Sequence, residues 1–242
     1  MRSILKKTRG FTLIELLVVL LIMTFITLAF INNQSKFDSG TIMRALAYQV
    51  ALSVRQTQVY GTSVIQNGQG ATTFGPVFGL SFGSSANTYF IFSDPLTTPT
   101  GEMDVGVTQL KTFTVQNNYM IQEVCLISNQ GSDKYYCSAK KDTGTTDDST
   151  PSRRIDVINV LFKRPNPDAI FTAYVDSGSG LTPVTIPNNF AFTTAYIQLK
   201  ALNGDVRVVK VTVTGQVTVC AIGNVSGTGV TITRLKSGAA TC

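Results

Sequence analysis

Residues 11–31 form an almost unbroken apolar run of 21 residues, interrupted only by Thr12, Glu15, Thr24 and Thr27. An α-helix of that length extends about 31 Å, which matches the roughly 30 Å hydrocarbon core of a bilayer. The pattern therefore predicts one membrane-spanning helix near the N-terminus.

A second, amphipathic helical pattern follows the apolar run and ends near Gly61. Its apolar positions recur every four residues: Ile42, Leu46, Val50 and Val54. This spacing predicts a helix with one buried stripe. Gly40 lies between the two helical patterns and is a candidate break or joint.

From Thr62 onward, short runs of β-branched and aromatic residues alternate with clusters of Gly, Pro, Asn and Ser, a pattern typical of strands and turns. The predicted strands are Val77–Phe82, Tyr89–Phe92, Met120–Ile127, Ile155–Phe162, Ile170–Val175, Thr194–Leu199, Val206–Val213 and Gln216–Ala221. Thr214-Gly215 is the predicted hairpin turn between the last two strands. The polar segments 140–153 and 176–189 are predicted to be exposed loops.

These elements predict an α+β fold. A long N-terminal helix with a hydrophobic first half packs on a C-terminal antiparallel β-sheet unit, residues 62–242, which we call the head.

The net charge of +6 belongs mostly to the first ten residues, which contain four basic side chains and no acid. Without residues 1–10, Lys+Arg falls from 20 to 16 against 14 Asp+Glu, a net charge of +2. A charge this small gives no strong attraction for nucleic acid. Under the positive-inside rule, the basic leader stays cytoplasmic and the rest of the chain crosses the membrane.

The chain contains no histidine, which excludes histidine-dependent triads, dyads and metal ligands. No motif supports the chemistries that remain, and we expect no catalytic residues, no bound metal and no enzymatic activity.

The junction between leader and apolar run is the most specific feature. It reads Gly10-Phe11-Thr12-Leu13-Ile14-Glu15 and follows a basic leader directly. A secretory signal peptide would have a shorter apolar region followed by an A-x-A-like cleavage site, and neither is found here. A carboxylate inside a membrane span costs roughly 2.5–3.5 kcal/mol, so Glu15 is expected to have a partner or a task.

This junction resembles the N-terminal signal of type IV prepilins and type II secretion pseudopilins, in which a membrane peptidase cuts after the glycine and N-methylates the new first residue. The resemblance implies cleavage between Gly10 and Phe11 and methylation of Phe11. It also implies that Glu15 is the assembly carboxylate, which pairs with the N-terminal amine of a neighbouring subunit. The alternative is an uncleaved signal anchor whose acid lies near the membrane interface.

The resemblance implies a pilin-like layout: a leader at 1–10, a transmembrane and assembly helix at 11–31, its amphipathic continuation at 32–61, and the head. The precursor would be a single-pass protein of the cytoplasmic membrane, and the mature subunit would enter an extracellular pilus or a periplasmic pseudopilus. Its implied partners are copies of itself, other pilins or pseudopilins, the prepilin peptidase and the inner-membrane assembly platform.

Within this class, the size of the head favours a minor subunit of the filament. The order of the head is also similar to that of the H-type minor pseudopilins and related minor pilins: an amphipathic helix, the segment Leu52–Val64, and strands that end with residues 207–211 and 215–219. The alternative function is a pilus-tip binding module, either an adhesin or a DNA-uptake receptor.

Four cysteines, Cys125, Cys137, Cys220 and Cys242, all lie in the head. An even number outside the cytoplasm favours disulfides, and four cysteines allow three connectivities. We expect the nearest-neighbour pairs Cys125–Cys137 and Cys220–Cys242. The second pair resembles the C-terminal disulfide loop of many type IV pilins. Free buried thiols are the alternative.

Two weaker candidate sites lie in loops and in the tail. Asp142, Asp147 and Asp148 are candidate calcium ligands, but they lack EF-hand spacing and a solvated acidic loop is the better interpretation. Arg234 and Lys236 form a small basic pair, too weak a phosphate footprint to predict nucleic-acid binding.

Overall fold

The computed structural model describes residues 11–63, 77–94, 107–115, 119–129, 134–138, 154–178, 180–184, 191–201 and 204–222. The chain divides into two compact units, Met1–Thr41 and Ile42–Cys242. The first unit contains the single described helix as far as Thr41, and the second contains the helix from Ile42 onward and the head.

Helix α1 spans Leu13–Thr62 without interruption. A break at Gly40 is therefore wrong, because the helical backbone continues through this residue. The predicted end near Gly61 is confirmed to within one residue. Gly61 is required by packing, since a Cβ there would lie 2.6 Å from Cβ of Phe162 and 2.7 Å from its carbonyl oxygen.

The head contains β1 Val77–Gly83, β2 Thr88–Asp94, β3 Thr108–Thr114, β4 Met120–Ser128, β5 Lys134–Cys137, β6 Val157–Phe162, β7 Ala169–Asp176, β8 Leu181–Pro183, β9 Phe192–Lys200, β10 Val206–Thr212 and β11 Val217–Ile222. Every predicted strand has a counterpart among them. The sequence did not predict β3, β5 or β8, and β8 lies in a segment for which the prediction is an exposed loop.

The strands form two antiparallel sheets. One has the order β3-β2-β1-β6-β7-β8, and the other has the order β11-β10-β9-β4-β5. Val213 connects the sheets, because its N–H donates to the carbonyl of Thr193 at 2.8 Å and its carbonyl accepts from the N–H of Ala169 at 2.7 Å. The predicted α+β fold is confirmed.

The main core lies between the C-terminal part of α1 and both sheets. The helix buries Met43, Leu46, Ala47, Val50 and Val54 in this core. Ile42, a member of the predicted stripe, is 41% exposed, so this part of the prediction is wrong.

The exposure of Ile42 follows from helix geometry. Successive positions four apart turn by about 400°, so a strict four-residue repeat drifts off its face, whereas alternating steps of three and four stay on it. The stripe that is buried starts one residue later than predicted and stays on the core side, because its first two members are three positions apart. It consists of Met43, Leu46, Val50 and Val54.

Polar side chains attach the helix to the head. The Arg55 guanidinium Nη1 donates to the carbonyl of Gly215 at 3.3 Å, and Gln58 Nε2 donates to the carbonyl of Pro167 at 2.9 Å. Gly215 has a φ of 74° in the turn between β10 and β11, where the sequence predicts the hairpin. A left-handed φ of this kind favours glycine.

Candidate functional site

Thr12 caps the N-terminus of α1. Its carbonyl accepts from the N–H groups of Glu15 at 3.1 Å and Leu16 at 3.2 Å, and its side-chain Oγ1 accepts from the N–H of Glu15 at 3.4 Å. Threonine at the cap with glutamate three positions later is the sequence signature of a capping box. The helix therefore begins two residues after Phe11, and Phe11 and Thr12 lie outside it.

Apart from Glu15, Thr24 and Thr27, the surface of α1 between Leu13 and Ile31 is apolar on all sides, and it is exposed. This segment of 19 residues has a mean hydropathy of 2.8 and none of it is buried inside the protein. By length and composition, this helix can cross a membrane. Its exposure distinguishes it from the apolar core helix of a globular domain.

The two threonines in this segment satisfy their hydroxyl groups within the helix. Thr24 Oγ1 donates to the carbonyl of Leu21 at 2.8 Å, and Thr27 Oγ1 donates to the carbonyl of Met23 at 2.7 Å. Back-bonding of this kind removes a free hydroxyl donor from an apolar environment. The two threonine interruptions in the apolar run are therefore compatible with a lipid-facing surface.

Glu15 lies in the first turn of α1, where the positive end of the helix dipole favours a carboxylate. Within the described part of the chain, no cation or hydrogen-bond donor contacts the oxygens of its side chain. Its carboxylate is therefore available to a group from outside the described chain. Gly10, the residue before the predicted cut, lies outside the described residues.

A disulfide joins Cys125 of β4 to Cys137 of β5, as expected from the sequence. The two residues are directly opposite each other in the antiparallel ladder, with Cα atoms 4.2 Å apart. Cys220 is also disulfide-bonded. Its expected partner, Cys242, lies outside the described residues, so the pairing of Cys220 with Cys242 stays a prediction.

Glu123 lies beside the Cys125–Cys137 disulfide on the same strand. Its Oε1 is 3.3 Å from Sγ of Cys125, and only 7% of the residue is exposed. Burial raises the pKa of the Glu123 carboxyl from 4.5 to about 7. A disulfide sulfur has no proton, so a hydrogen bond across this contact requires a protonated carboxyl that donates to the sulfur.

Glu123, Cys125 and Cys137 have ligand atoms within 4.8 Å of one another. In the oxidised head, neither sulfur is a thiolate, and thiolate is the form in which cysteine binds metals. We therefore interpret this group as a disulfide with a neighbouring acid.

The remaining candidate residues fall outside the described part of the chain. These are Asp142, Asp147, Asp148, Arg234 and Lys236, and the interpretations given to them above stay predictions.

The sequence analysis did not identify two residues of these sites, Thr12 and Glu123. The Thr12 cap is readable in the sequence as Thr-x-x-Glu before an apolar run, and this signal could have located the helix start. Glu123 had no such signal, because an acid within a strand is normally placed on a solvated face.

A family model described as the prokaryotic N-terminal methylation motif matches residues 5–31. No curated protein and no solved structure is similar enough to the chain to match it. The matched region covers part of the leader, the Thr12 cap, Glu15 and the apolar part of α1. The chain therefore carries the N-terminal signal of type IV pilins and pseudopilins, which includes the apolar part of α1 and precedes a β-rich head.

Proposed function

We propose that the protein is a structural subunit of a type IV pilus or a type II secretion pseudopilus. It is made as a precursor anchored in the cytoplasmic membrane, processed after Gly10 and assembled through its N-terminal helix. The observation that carries this proposal is the methylation motif at residues 5–31, which supports a type IV pilin-like or pseudopilin subunit.

The geometry around the predicted cut is consistent with processing. Phe11 and Thr12 precede α1, so the bond between Gly10 and Phe11 lies before the capped first turn. Cleavage there leaves the helix and its cap intact. The new amine of Phe11 then lies four residues before Glu15, and Phe11 is the residue that the peptidase methylates.

The Phe11 amine that cleavage creates and the Glu15 carboxylate complement each other between subunits. Four residues correspond to an axial distance of about 6–10 Å, depending on how much of the segment is helical. Two neighbouring subunits staggered by this distance bring the amine of one to the Glu15 carboxylate of the other. Mutual neutralisation lowers the cost of keeping both charges in an apolar environment.

The apolar surface of α1 requires a second environment after the subunit leaves the membrane. Leu13, Phe25 and Phe30 are 82%, 66% and 75% exposed in the single chain. Lipid covers such side chains in the precursor, and the equivalent helices of neighbouring subunits cover them in a filament. The proposed partners are therefore copies of this chain and other pilins or pseudopilins.

We favour a minor subunit, because a head with a six-stranded and a five-stranded sheet is larger than a minimal pilin would need. The alternative, a pilus-tip adhesin or DNA-uptake receptor, gains no support from any contact among the described residues.

The test is co-expression of the full chain with a prepilin peptidase, followed by intact-mass measurement and shearing of surface filaments. We expect loss of residues 1–10, addition of one methyl group at Phe11, and recovery of the protein in the filament fraction. The matched control is co-expression with an inactive peptidase, which should leave the precursor in the membrane. An unprocessed chain with the active enzyme would refute the proposal.

A further inference from the structure

The Cys125–Cys137 pair is held together by more than its covalent bond. Leu126 pairs with Tyr136 on one side of it. On the other side, the N–H of Val124 donates to Ser138 Oγ at 3.0 Å and the N–H of Ser138 donates to the carbonyl of Val124 at 3.0 Å. Because these contacts are independent of the sulfur–sulfur bond, we expect the ladder to keep the two cysteines opposite each other after reduction.

The two cysteines differ in their access to solvent. Cys125 is 1% exposed, whereas Cys137 is only half-buried and lies at the end of the short strand β5. We therefore expect a reagent from solution to react at Cys137 before Cys125. In an exchange reaction that begins there, the buried sulfur of Cys125 is the leaving group.

The leaving sulfur has an acid within reach. Glu123 Oε1 is 3.3 Å from Cys125 Sγ, and the carboxyl lies on the same face of β4 because the two residues are two positions apart. Among the described residues, no salt bridge involves Glu123. The geometry thus places one buried carboxyl against one particular sulfur of the disulfide.

We propose that Glu123, Cys125 and Cys137 form a proton-coupled thiol–disulfide exchange site, at which an external dithiol or disulfide reacts with Cys137 while Glu123 exchanges a proton with Cys125. This proposal is independent of the filament function above.

Reduction proceeds in two balanced steps. A thiolate of the external dithiol attacks Cys137 Sγ, the sulfur–sulfur bond breaks, and Cys125 Sγ leaves with the electron pair and takes the proton of the Glu123 carboxyl. The second thiolate of the dithiol then attacks its partner sulfur in the mixed disulfide and expels Cys137 as a thiolate, which takes a proton from water. The protein disulfide is reduced to two thiols, and the dithiol is oxidised to its disulfide.

Oxidation by an external disulfide reverses these roles. The Cys137 thiolate attacks the reagent and forms a mixed disulfide, with a thiolate of the reagent as leaving group. The Glu123 carboxylate then takes the proton of the Cys125 thiol, and the resulting thiolate attacks Cys137 Sγ and expels the second thiolate. A neighbouring base is the usual means of activating a thiol.

Few other charged groups face this site among the described residues. Tyr196 is directly opposite Cys125 on β9, and Lys210 is opposite Tyr196 on β10, one strand further away. Beyond β5, Arg154 bridges to Cys137 through the backbone and forms an ion pair with Asp156 at 2.9 Å. Since burial raises the Glu123 pKa to about 7, both the donor and the acceptor forms are populated near neutral pH.

The main test measures the rate at which dithiothreitol reduces Cys125–Cys137 in the full-length protein. Samples are quenched by alkylation and the rate is divided by the concentration of dithiothreitol thiolate. For the wild type, we expect this normalised rate to fall about tenfold or more between about pH 6 and about pH 8.5, because Glu123 loses its proton. The rate of Glu123→Gln should be lower at about pH 6 and nearly independent of pH.

The controls separate proton transfer from a general effect of charge. Asp168→Asn removes an exposed carboxylate and should keep the wild-type profile. The disulfide of Cys220 in the same molecules should show no effect of Glu123→Gln. Glu123→Asp keeps a carboxyl group on a shorter side chain and should retain part of the pH dependence.

A second measurement does not depend on replacing Glu123. In Cys125→Ser, the remaining Cys137 thiol should form a mixed disulfide with a small aromatic disulfide reagent rapidly. In Cys137→Ser, the buried Cys125 thiol should react more slowly, by about tenfold or more. Equal reactivity of the two thiols would overturn the proposal, as would identical normalised pH profiles for the wild type and Glu123→Gln.

Discussion

Gly79 and Phe92 lie opposite each other across β1 and β2, and the Phe92 ring occupies the space above the glycine. A Cβ at Gly79 would lie 2.5 Å from Cζ of Phe92 and 2.6 Å from Cδ2 of Leu161, which is its register partner on β6. Val77, Phe92 and Leu161 form a second, smaller apolar cluster. Because Gly79 has no side chain, the Phe92 and Leu161 side chains can occupy the space beside its Cα.

Gly79→Ala should destabilise the protein by about 1–3 kcal/mol, because the added methyl group overpacks the cluster. Denaturant unfolding of the full-length protein in detergent measures this effect. Gly83→Ala is the matched control on the same strand, since its Cβ would meet only Ala86 Cβ at 3.5 Å. Equal midpoints for the two variants would contradict the packing argument.

The Ser53–Tyr89 contact is predicted to stabilise the packing of α1 on β2. Ser53 Oγ donates to the carbonyl of Gln49 at 3.0 Å, so the Tyr89 hydroxyl must be the donor in the 3.2 Å contact with Ser53. Ser53→Ala should cost about 1–3 kcal/mol, because it leaves the buried Tyr89 hydroxyl without its acceptor.

Tyr89→Phe keeps the ring stacked on Phe82 and Phe113 and should cost only about 1 kcal/mol. The double variant should cost less than the sum of the two single variants. If the free-energy cost of the double variant equals the sum of the costs of the two single variants, the two hydroxyl groups do not interact.

The stability of the protein should depend on pH through Glu123. Because burial raises its pKa from 4.5 to about 7, the folded protein keeps a proton that the unfolded chain releases in this range. The contribution is fully present below about pH 4.5 and is lost as pH rises through about 7. The total change is on the order of 3 kcal/mol.

Glu123→Gln should remove this slope and be more stable than the wild type at about pH 8. Unfolding midpoints of both proteins across this pH range, with Asp168→Asn as the exposed-carboxylate control, provide the measurement. Parallel curves for the wild type and Glu123→Gln would exclude Glu123 as the source.

The sequence predicted the helix and the strands in which buried and exposed positions alternate regularly. It did not predict strands that lack such a pattern. β3 is exposed along nearly its whole length and, among the described strands, pairs with β2 alone, so no alternation marks it as a strand. β5 has four residues, too few to show a period. The burial of Glu123 depends on what covers the second face of β4, and a strand pattern does not contain this information.

The N-terminal methylation motif could be recognised from the sequence alone, because the residues that define it are neighbours in the chain. Gly10, Phe11 and Glu15 lie within six positions. The cysteine site combines two strands, and the sequence indicated its disulfide but not its acid.

Glu15→Ala should permit processing but reduce filament yield strongly, because the amine of a neighbouring subunit loses its counter-charge in an apolar environment. Sheared filaments are quantified by immunoblot, and intact mass verifies cleavage. Glu15→Asp is the conservative variant and should assemble better than Glu15→Ala. Wild-type yield from Glu15→Ala would contradict the pairing.

Replacing Gly10 by a bulky residue, as in Gly10→Leu, should leave the leader attached, because prepilin peptidases cut signals of the kind this chain resembles after a glycine. Mass spectrometry of the membrane fraction should then show an N-terminus upstream of Phe11. An N-methylated Phe11 in this variant would refute the assigned cleavage position.

One residue of β4 lies outside the regular pairing of the strand. Ile121 pairs with Leu199 and Glu123 pairs with Gln198, so Gln122 is an extra residue in the ladder. A bulge of this kind reverses the odd-even parity of a strand. Ile121 therefore enters the main core, although Glu123 and Cys125 point to the other face. The inserted residue therefore changes which side chains of β4 face the main core, and it places the Glu123 carboxyl beside the Cys125–Cys137 disulfide.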